Sequence, residues 1–423
     1  MTGKNTLRSH VGVGLVCAMF FTVMVIPDVL FAQDWPQWRG VAINGHASSG
    51  ATAPVQWNND SGLLWKTAIP GRGNSSPTIV GDRIYLTTGD ERNETQSLLI
   101  LDRIDGKLLK KIETHVGNLP DNISGKNSHA NSTVASDGEQ VFVMFLNDAA
   151  PILTAYDLDG NQAWQKRVCG ETRVNFEWGF GSSPIVVDDL VIVATEFNIQ
   201  GSGIYAFDKR TGKPVWHTPR SQQFSYSTPA VATLQGKKVL LLSGNYSFAA
   251  YDVQTGHQLW SQEGTTMATC GTMVWDGYLN LGFASGGHPD KFTAAVKLDG
   301  SHEVVWSHPV KCYEQSLLSF EGHVLAVSDG GVAHLWQGKD GEKKWHKRLK
   351  GNFSSSPLLV DGKIYVTSES GETFVFEANT NQYVELSRNK LGDQAFATPT
   401  PSDGKLYHRY IEGKQEYLVA IGK

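Results

Sequence analysis

Ser75-Ser76-Pro77-Thr78-Ile79-Val80-Gly81-Asp82-Arg83-Ile84-Tyr85-Leu86 reads as a small-residue pair, a proline, an apolar run, a tight turn and a second apolar run. The phrase returns at Ser182-Ser183-Pro184-Ile185-Val186-Val187 and at Ser355-Ser356-Pro357-Leu358-Leu359-Val360. Aligning looser copies on the second small residue gives anchors at Ser76, Ser132, Ser183, Thr228, Gly271, Leu318, Ser356 and Thr398. Their spacings of 56, 51, 45, 43, 47, 38 and 42 residues match a four-stranded propeller blade and exceed the roughly 34 residues of a helical repeat.

Each copy has a second half. Ala206-Phe207-Asp208-Lys209-Arg210-Thr211-Gly212-Lys213-Pro214-Val215-Trp216 and Ala250-Tyr251-Asp252-Val253-Gln254-Thr255-Gly256-His257-Gln258-Leu259-Trp260 share one internal spacing. The Asp-x-x-Thr-Gly segment predicts a tight hairpin whose glycine takes a positive φ. The tryptophan is large enough to fill the gap between neighbouring blades, and that packing role is assigned to every repeat tryptophan. The apolar runs are short and rich in β-branched and aromatic residues, as strands are. No stretch sustains a 3.6-residue period, so almost no helix is expected outside the first residues.

The eighth copy holds only three strands and ends at Lys423. Leu63-Leu64-Trp65-Lys66-Thr67-Ala68-Ile69 reads as a last strand without predecessors. Pairing the two removes the exposed edges. The expected fold is therefore all-β: an eight-bladed propeller of four-stranded antiparallel blades, closed by an N-terminal strand that completes the C-terminal blade.

Residues 1–32 read as a secretory signal, with Lys4 and Arg8 before a 16-residue apolar run from Val11 to Ile26 and a cleavage site after Ala32. That run falls short of the roughly 20 residues that span a bilayer. Residues 33–56 form an N-terminal extension and 57–423 the propeller. The expected location is secreted or periplasmic, with no membrane span after cleavage. The formal charge of −5, without any basic block, argues against nucleic acid as a partner. Cys169, Cys270 and Cys312 remain after cleavage. Cys270 and Cys312 fall near the first strands of neighbouring blades, so a disulfide between them is conceivable.

The Ala-x-Asp-x-x-Thr-Gly-x-x-x-Trp phrase resembles the repeat of the pyrroloquinoline-quinone (PQQ)-like β-propellers. That superfamily includes quinoprotein alcohol dehydrogenases and the outer-membrane assembly propeller lipoprotein. Asp34-Trp35-Pro36-Gln37-Trp38-Arg39-Gly40 resembles the start of its secreted bacterial members. The resemblance implies the fold and leaves open whether the chain is an enzyme or a binding scaffold.

In a propeller the loops entering the first strands converge on one mouth of the central channel. Here they carry Arg72, Asn74, Asn127, His129, Glu177, Trp178, Phe180, Phe224, Tyr226, Cys270, Tyr313, Glu314, Gln315, Asn352, Phe353, Gln394 and Phe396. Loops between second and third strands add Arg92, Asp148, Glu196, Asn198, His288 and Asp290. The ligand-binding candidates are Arg72, Asn74, His129, Glu177, Trp178, Tyr226, Glu314 and Gln315. No catalytic set converges, and phosphate-loop, zinc-helix and nucleophile-elbow motifs are missing from the sequence. The favoured expectation is a non-catalytic scaffold for a protein or small-molecule ligand, with no cofactor. The rival is a PQQ- and calcium-dependent oxidoreductase, with Glu177, Glu196 and Asn198 as oxygen donors to the metal. The vicinal Cys-Cys of the alcohol dehydrogenases has no counterpart here. A sugar-binding module using Trp178, Phe180 and Tyr226 is a third possibility.

Overall fold

The computed structural model describes residues 1–3, 34–121, 123–170, 179–196, 201–220 and 225–423. The signal segment, Glu177, Trp178, Asn198 and Phe224 lie outside the described residues. The chain divides into the units Met1–Phe31 and Ala32–Lys423. Of the former only residues 1–3 are described, and every named strand belongs to the latter.

Thirty-two strands form eight four-stranded antiparallel sheets. Blade 1 comprises Thr78–Val80, Arg83–Asp90, Thr95–Asp102 and Leu108–Val116. Blades 2 to 7 repeat the pattern, starting at Ala135, Ile185, Ala230, Val274, Leu318 and Leu358. Blade 8 takes Thr400–Ser402, Lys405–Glu412 and Gln415–Ile421 from the C-terminus and Leu63–Ile69 from the N-terminus. In that closing pair Thr67 faces Leu418 and Ile69 faces Glu416. The ring closes as the sequence predicts, and no helix occurs among the described residues.

The repeated small residues hold the inner ring together. The backbone N–H of Ser76 donates to Thr133 Oγ1 (3.0 Å), Thr133 to Ser183 Oγ (3.0 Å) and Ser183 to Thr228 Oγ1 (2.9 Å). Thr272 donates to Ser316 Oγ, Ser316 to Ser356 Oγ and Ser356 to Thr398 Oγ1, each at 2.9 Å. Every blade thus places a hydroxyl residue at the same level. The ring corrects three alignment anchors: Thr133, Thr272 and Ser316 stand where the repeat suggested Ser132, Gly271 and Leu318. A buried backbone N–H needs a partner, and a neighbouring hydroxyl supplies it without adding bulk at the axis.

The second half of the repeat locks blade to blade at larger radius. Asp208 Oδ1 accepts the Thr211 N–H (2.8 Å) and hydroxyl (2.6 Å). Gly212 then takes φ +66°. Its missing side chain matters, because a Cβ there would stand 2.6 Å from Trp164 of the preceding blade. Trp164 Nε1 donates to Lys209 O in the same turn (3.0 Å). The pattern recurs for Trp216 and Val253 O (3.1 Å), Trp306 and Gly338 O (2.7 Å), and Trp345 and Asn379 O (2.9 Å).

The N-terminal extension crosses the far end of the channel. Trp35 exchanges two backbone bonds with Ile79 of blade 1 (3.0 Å each). Ser136 N–H reaches Pro36 O (2.8 Å), and Val186 N–H reaches Gln37 Oε1 (2.9 Å). Arg39 Nη2 donates to Leu317 O (2.8 Å), and Ala47 N–H to Leu359 O (2.9 Å). One short segment therefore spans inner strands of blades 1, 2, 3, 6 and 7. Arg39 is 1% exposed, and burial holds its pKa down at about 9.

Candidate functional site: a blind cup at the channel mouth

The inner strands and their entering loops enclose a cavity of about 630 Å³ at the mouth opposite this plug. Trp38 lines it from the plug side, with its Nε1 on Thr272 Oγ1 of the hydroxyl ring (2.9 Å). Thr133, Ser183 and Thr228 of the same ring form the lower wall. Tyr226, Cys270, Tyr313, Glu314, Ser354 and Phe396 line one side, and Asn74, Lys126, Asn127 and Asn131 the other. Because the extension closes the far end, the channel is a cup entered from one mouth.

The amide wall is internally satisfied. Asn74 Nδ2 donates to Lys126 O (2.9 Å) and to Asn131 Oδ1 (3.1 Å), while Asn131 Nδ2 donates to Phe180 O (2.7 Å). The opposite wall is aromatic and acidic. Burial pushes the Tyr226 and Tyr313 hydroxyls and the Cys270 thiol above their ordinary pKa, so all three stay neutral. Burial also raises Glu314, with Glu369 and Asp329 adding to it and Ser354 and Lys126 opposing. Lys126 Nζ is committed to Glu369 Oε1 (2.7 Å).

Three sequence candidates, Asn74, Tyr226 and Glu314, line the cup. The other described candidates do not. Arg72 sits at the rim, donating through Nη2 to Gly125 O (2.8 Å). The His129 ring turns away from the cup, 3.7 Å from Glu91, with its pKa lowered by burial. Gln315 is fully buried, and its amide serves Val327 O (2.6 Å) and Asp329 Oδ1 (3.2 Å). Glu196 is an internal counter-ion: it pairs with Arg220 and accepts from Asn245 Nδ2 (2.7 Å). Glu177, Trp178 and Asn198 fall outside the described residues. Phe180 contributes its carbonyl to the amide wall, while its residue lines a much smaller hollow beside His129. Cys169, Cys270 and Cys312 are all free thiols, so the Cys270–Cys312 bridge does not form. Lys126, Asn131 and Ser354 were missed because nothing in their local sequence distinguishes them. Trp38 was missed because its contact partner lies 234 residues away.

The described residues of the cup do not fit PQQ. That cofactor carries three carboxylates and requires a cation-rich site with a metal. Among the described residues the one lysine on the wall is already paired with Glu369, and Glu314, a carboxyl in no ion pair there, faces the same space. Among the described residues no group of three His, Cys, Asp or Glu side chains is arranged to hold a metal. Glu196, one of the three proposed oxygen donors, is consumed by Arg220.

Eight blades, tied at six junctions by inter-blade bonds to hydroxyls and at four by a tryptophan packed on a glycine, define a PQQ-like repeat propeller with a ligand-sized cup. The family model described as outer membrane protein assembly factor BamB matches residues 46–177, 95–276, 149–310 and 291–384 in overlapping, blade-shifted placements. The chain belongs to that family. It is 27% identical over 202 residues to the BamB of Burkholderia pseudomallei, covering 47% of this chain and 44% of that relative. The match thus spans less than half the length of the curated relative. Among solved structures it resembles BamB from Moraxella catarrhalis, with a TM-score of 0.59 at 15% identity over 85% of this chain and 97% of that one. It also resembles a europium-containing methanol dehydrogenase, with a TM-score of 0.54 at 12% identity over 91% and 90%. Both likenesses concern the fold. Among the described residues no helix is long and apolar enough to cross a membrane.

Proposed function

We propose that this chain is a non-catalytic binding scaffold of the cell envelope, secreted or periplasmic, which receives part of a protein or ligand in the cup. The observation that carries this reading is the cup itself: a blind, ligand-sized cavity with aromatic walls and no convergent acid, base and nucleophile among the described residues. Membership in a family described as an outer membrane protein assembly factor supports a protein partner. The wall chemistry argues against the oxidoreductase reading, since the unpaired Glu314 would face the carboxylates of the quinone.

Two experiments test the proposal. Immobilised mature chain is expected to retain a defined envelope protein, with retention reduced by Trp38→Ala or Tyr226→Ala. In parallel, the chain is titrated with PQQ and calcium, following absorbance and dye-linked alcohol oxidation. A saturable spectral shift with turnover would refute the scaffold reading.

A further inference from the structure

Building on the scaffold reading, the chemistry of the cup wall specifies what the cup accepts. Trp38, Tyr226, Tyr313 and Phe396 present aromatic surface to one cavity, and among the described residues two charged side chains join them, Lys126 and Glu314. Lys126 is neutralised by Glu369 at 2.7 Å. Glu314 joins no ion pair among the described residues. Lys126 pairs with Glu369 and Lys311 with Asp329, so the negative field of Glu314 is the one left over among these five groups. Lys311 shows what such a carboxylate attracts: its Nζ lies 3.5 Å from Asp329 and 5.3 Å from the centre of the Tyr313 ring. On the same wall Tyr226 is only 8% exposed, and its hydroxyl has no hydrogen-bond partner.

These features act in one direction. Aromatic faces attract a cation within about 6 Å of the ring centre, more strongly where water is excluded. A partly desolvated carboxylate strengthens that attraction, and an anion meets the reverse of both. We infer that the cup binds an organic cation, an ammonium or guanidinium group on an aliphatic stem, with Glu314 as counter-ion and the aromatic walls as its cation-attracting faces. The volume of about 630 Å³ lies within the range of small-ligand pockets and admits a stem as well as its charged head. The cation has two possible sources, a free amine or a lysine or arginine side chain on a protein segment.

Calorimetric titration of the mature chain separates the possibilities. The probes are cadaverine, Nα-acetyl-lysine-N-methylamide and a lysine-centred pentapeptide, each beside its Nε-acetylated form, with Nα-acetyl-glutamate-N-methylamide as the anion. The cationic probes are expected to saturate, and acetylation or Glu314→Gln to weaken them at least about tenfold. Tyr226→Ala, which removes an aromatic face, should weaken them less than Glu314→Gln does. Acidification should weaken binding in the wild type, and more steeply than in Glu314→Gln. That comparison isolates Glu314 from Asp329, Glu369, Lys126 and Lys311, since the Cys270 thiol and Tyr313 hydroxyl do not titrate in acid. Preference for the pentapeptide over cadaverine assigns the source to a protein segment, and the reverse preference to a free amine. Equal binding of acetylated or anionic probes, no binding of any cation, or an unaffected Glu314→Gln overturns the inference. Should Glu314→Gln lose its far-UV circular dichroism, Glu314→Asp and Tyr226→Ala carry the test. Failure of every cationic probe to bind, with an envelope protein still retained, would sink this inference yet leave the scaffold reading standing. Loss of both cation and protein binding would sink both.

Discussion

Replacing Glu416 by Leu should unfasten the ring at its seam. Glu416 lies in Gln415–Ile421, the strand that receives the N-terminal strand, and faces Ile69 there. Its carboxylate meets Arg409 on the adjacent strand, with Nη2 to Oε2 at 2.6 Å and Nε to Oε2 at 2.8 Å. The side chains are 2% and 5% exposed. The pair also crosses to blade 1: Arg409 Nη1 donates to Ser75 Oγ (3.0 Å) and Thr87 O (2.9 Å), and Gly73 N–H donates to Glu416 Oε1 (3.0 Å). Removing one charge strands the other in a buried site, a loss of about 3–5 kcal/mol. Arg409→Met should cost a similar amount. The double variant Arg409→Met/Glu416→Leu strands no charge, so it should cost clearly less than the sum of the singles. It still leaves the Gly73 N–H and the Thr87 carbonyl without these partners, at about 1–3 kcal/mol each. The assay is urea unfolding followed by tryptophan fluorescence and far-UV circular dichroism, with a constant m-value showing that the unfolded ensemble is unchanged. The expected coupling in the double-mutant cycle is about 2–3 kcal/mol. Additive single effects below about 1 kcal/mol, the size of an exposed pair, would refute the reasoning, because they would mean that water reaches the seam.

The remaining predictions probe other levels of the fold. His408 is fully buried without a partner for either ring nitrogen, and burial lowers its pKa to about 4. The unfolded chain binds its proton near pH 6.5, so stability contributed by the neutral ring is present above that value and is lost as pH falls towards 4, by about 3 kcal/mol. His408→Phe should flatten that part of a pH series of urea midpoints, and an unchanged slope would count against the assignment. Gly212→Ala meets both the +66° backbone and the Trp164 ring, whereas Gly236→Ala meets only a +79° backbone in open space. Gly236→Ala should cost about 1–3 kcal/mol and Gly212→Ala more, and equal losses would refute the tryptophan lock. Denatured, oxidised protein lacking residues 1–32 should release three titratable thiols, Cys169, Cys270 and Cys312, whereas a single one would restore the bridge.

How much of the fold is legible in the chain depends on the range over which each contact acts. The Asp208–Gly212 turn closes within five residues, so its chemistry shows in the local sequence, and the tryptophan after it needs only the next blade. The hydroxyl ring acts across 40 to 57 residues. Its general register is visible as Ser-Ser-Pro, but its exact level is not where proline or the second serine is missing. There the repeat points to Ser132, Gly271 and Leu318, although the inter-blade hydrogen bond requires Thr133, Thr272 and Ser316. Position on a loop misleads in a different way. Glu196 and Gln315 sit where mouth residues should, yet Arg220 and Asp329 turn them inward, and neither partner lies near enough in sequence to announce itself. Trp38 is the furthest case. Nothing around it predicts contact with Thr272, yet that contact helps determine whether the central channel is a tunnel or a cup. A tunnel lets a ligand pass and offers no floor. A cup with a tryptophan floor and one unpaired carboxylate retains whatever group matches its charge. The repeat therefore explains why a cavity exists, and the segment that does not repeat, laid across its far end, gives that cavity its floor.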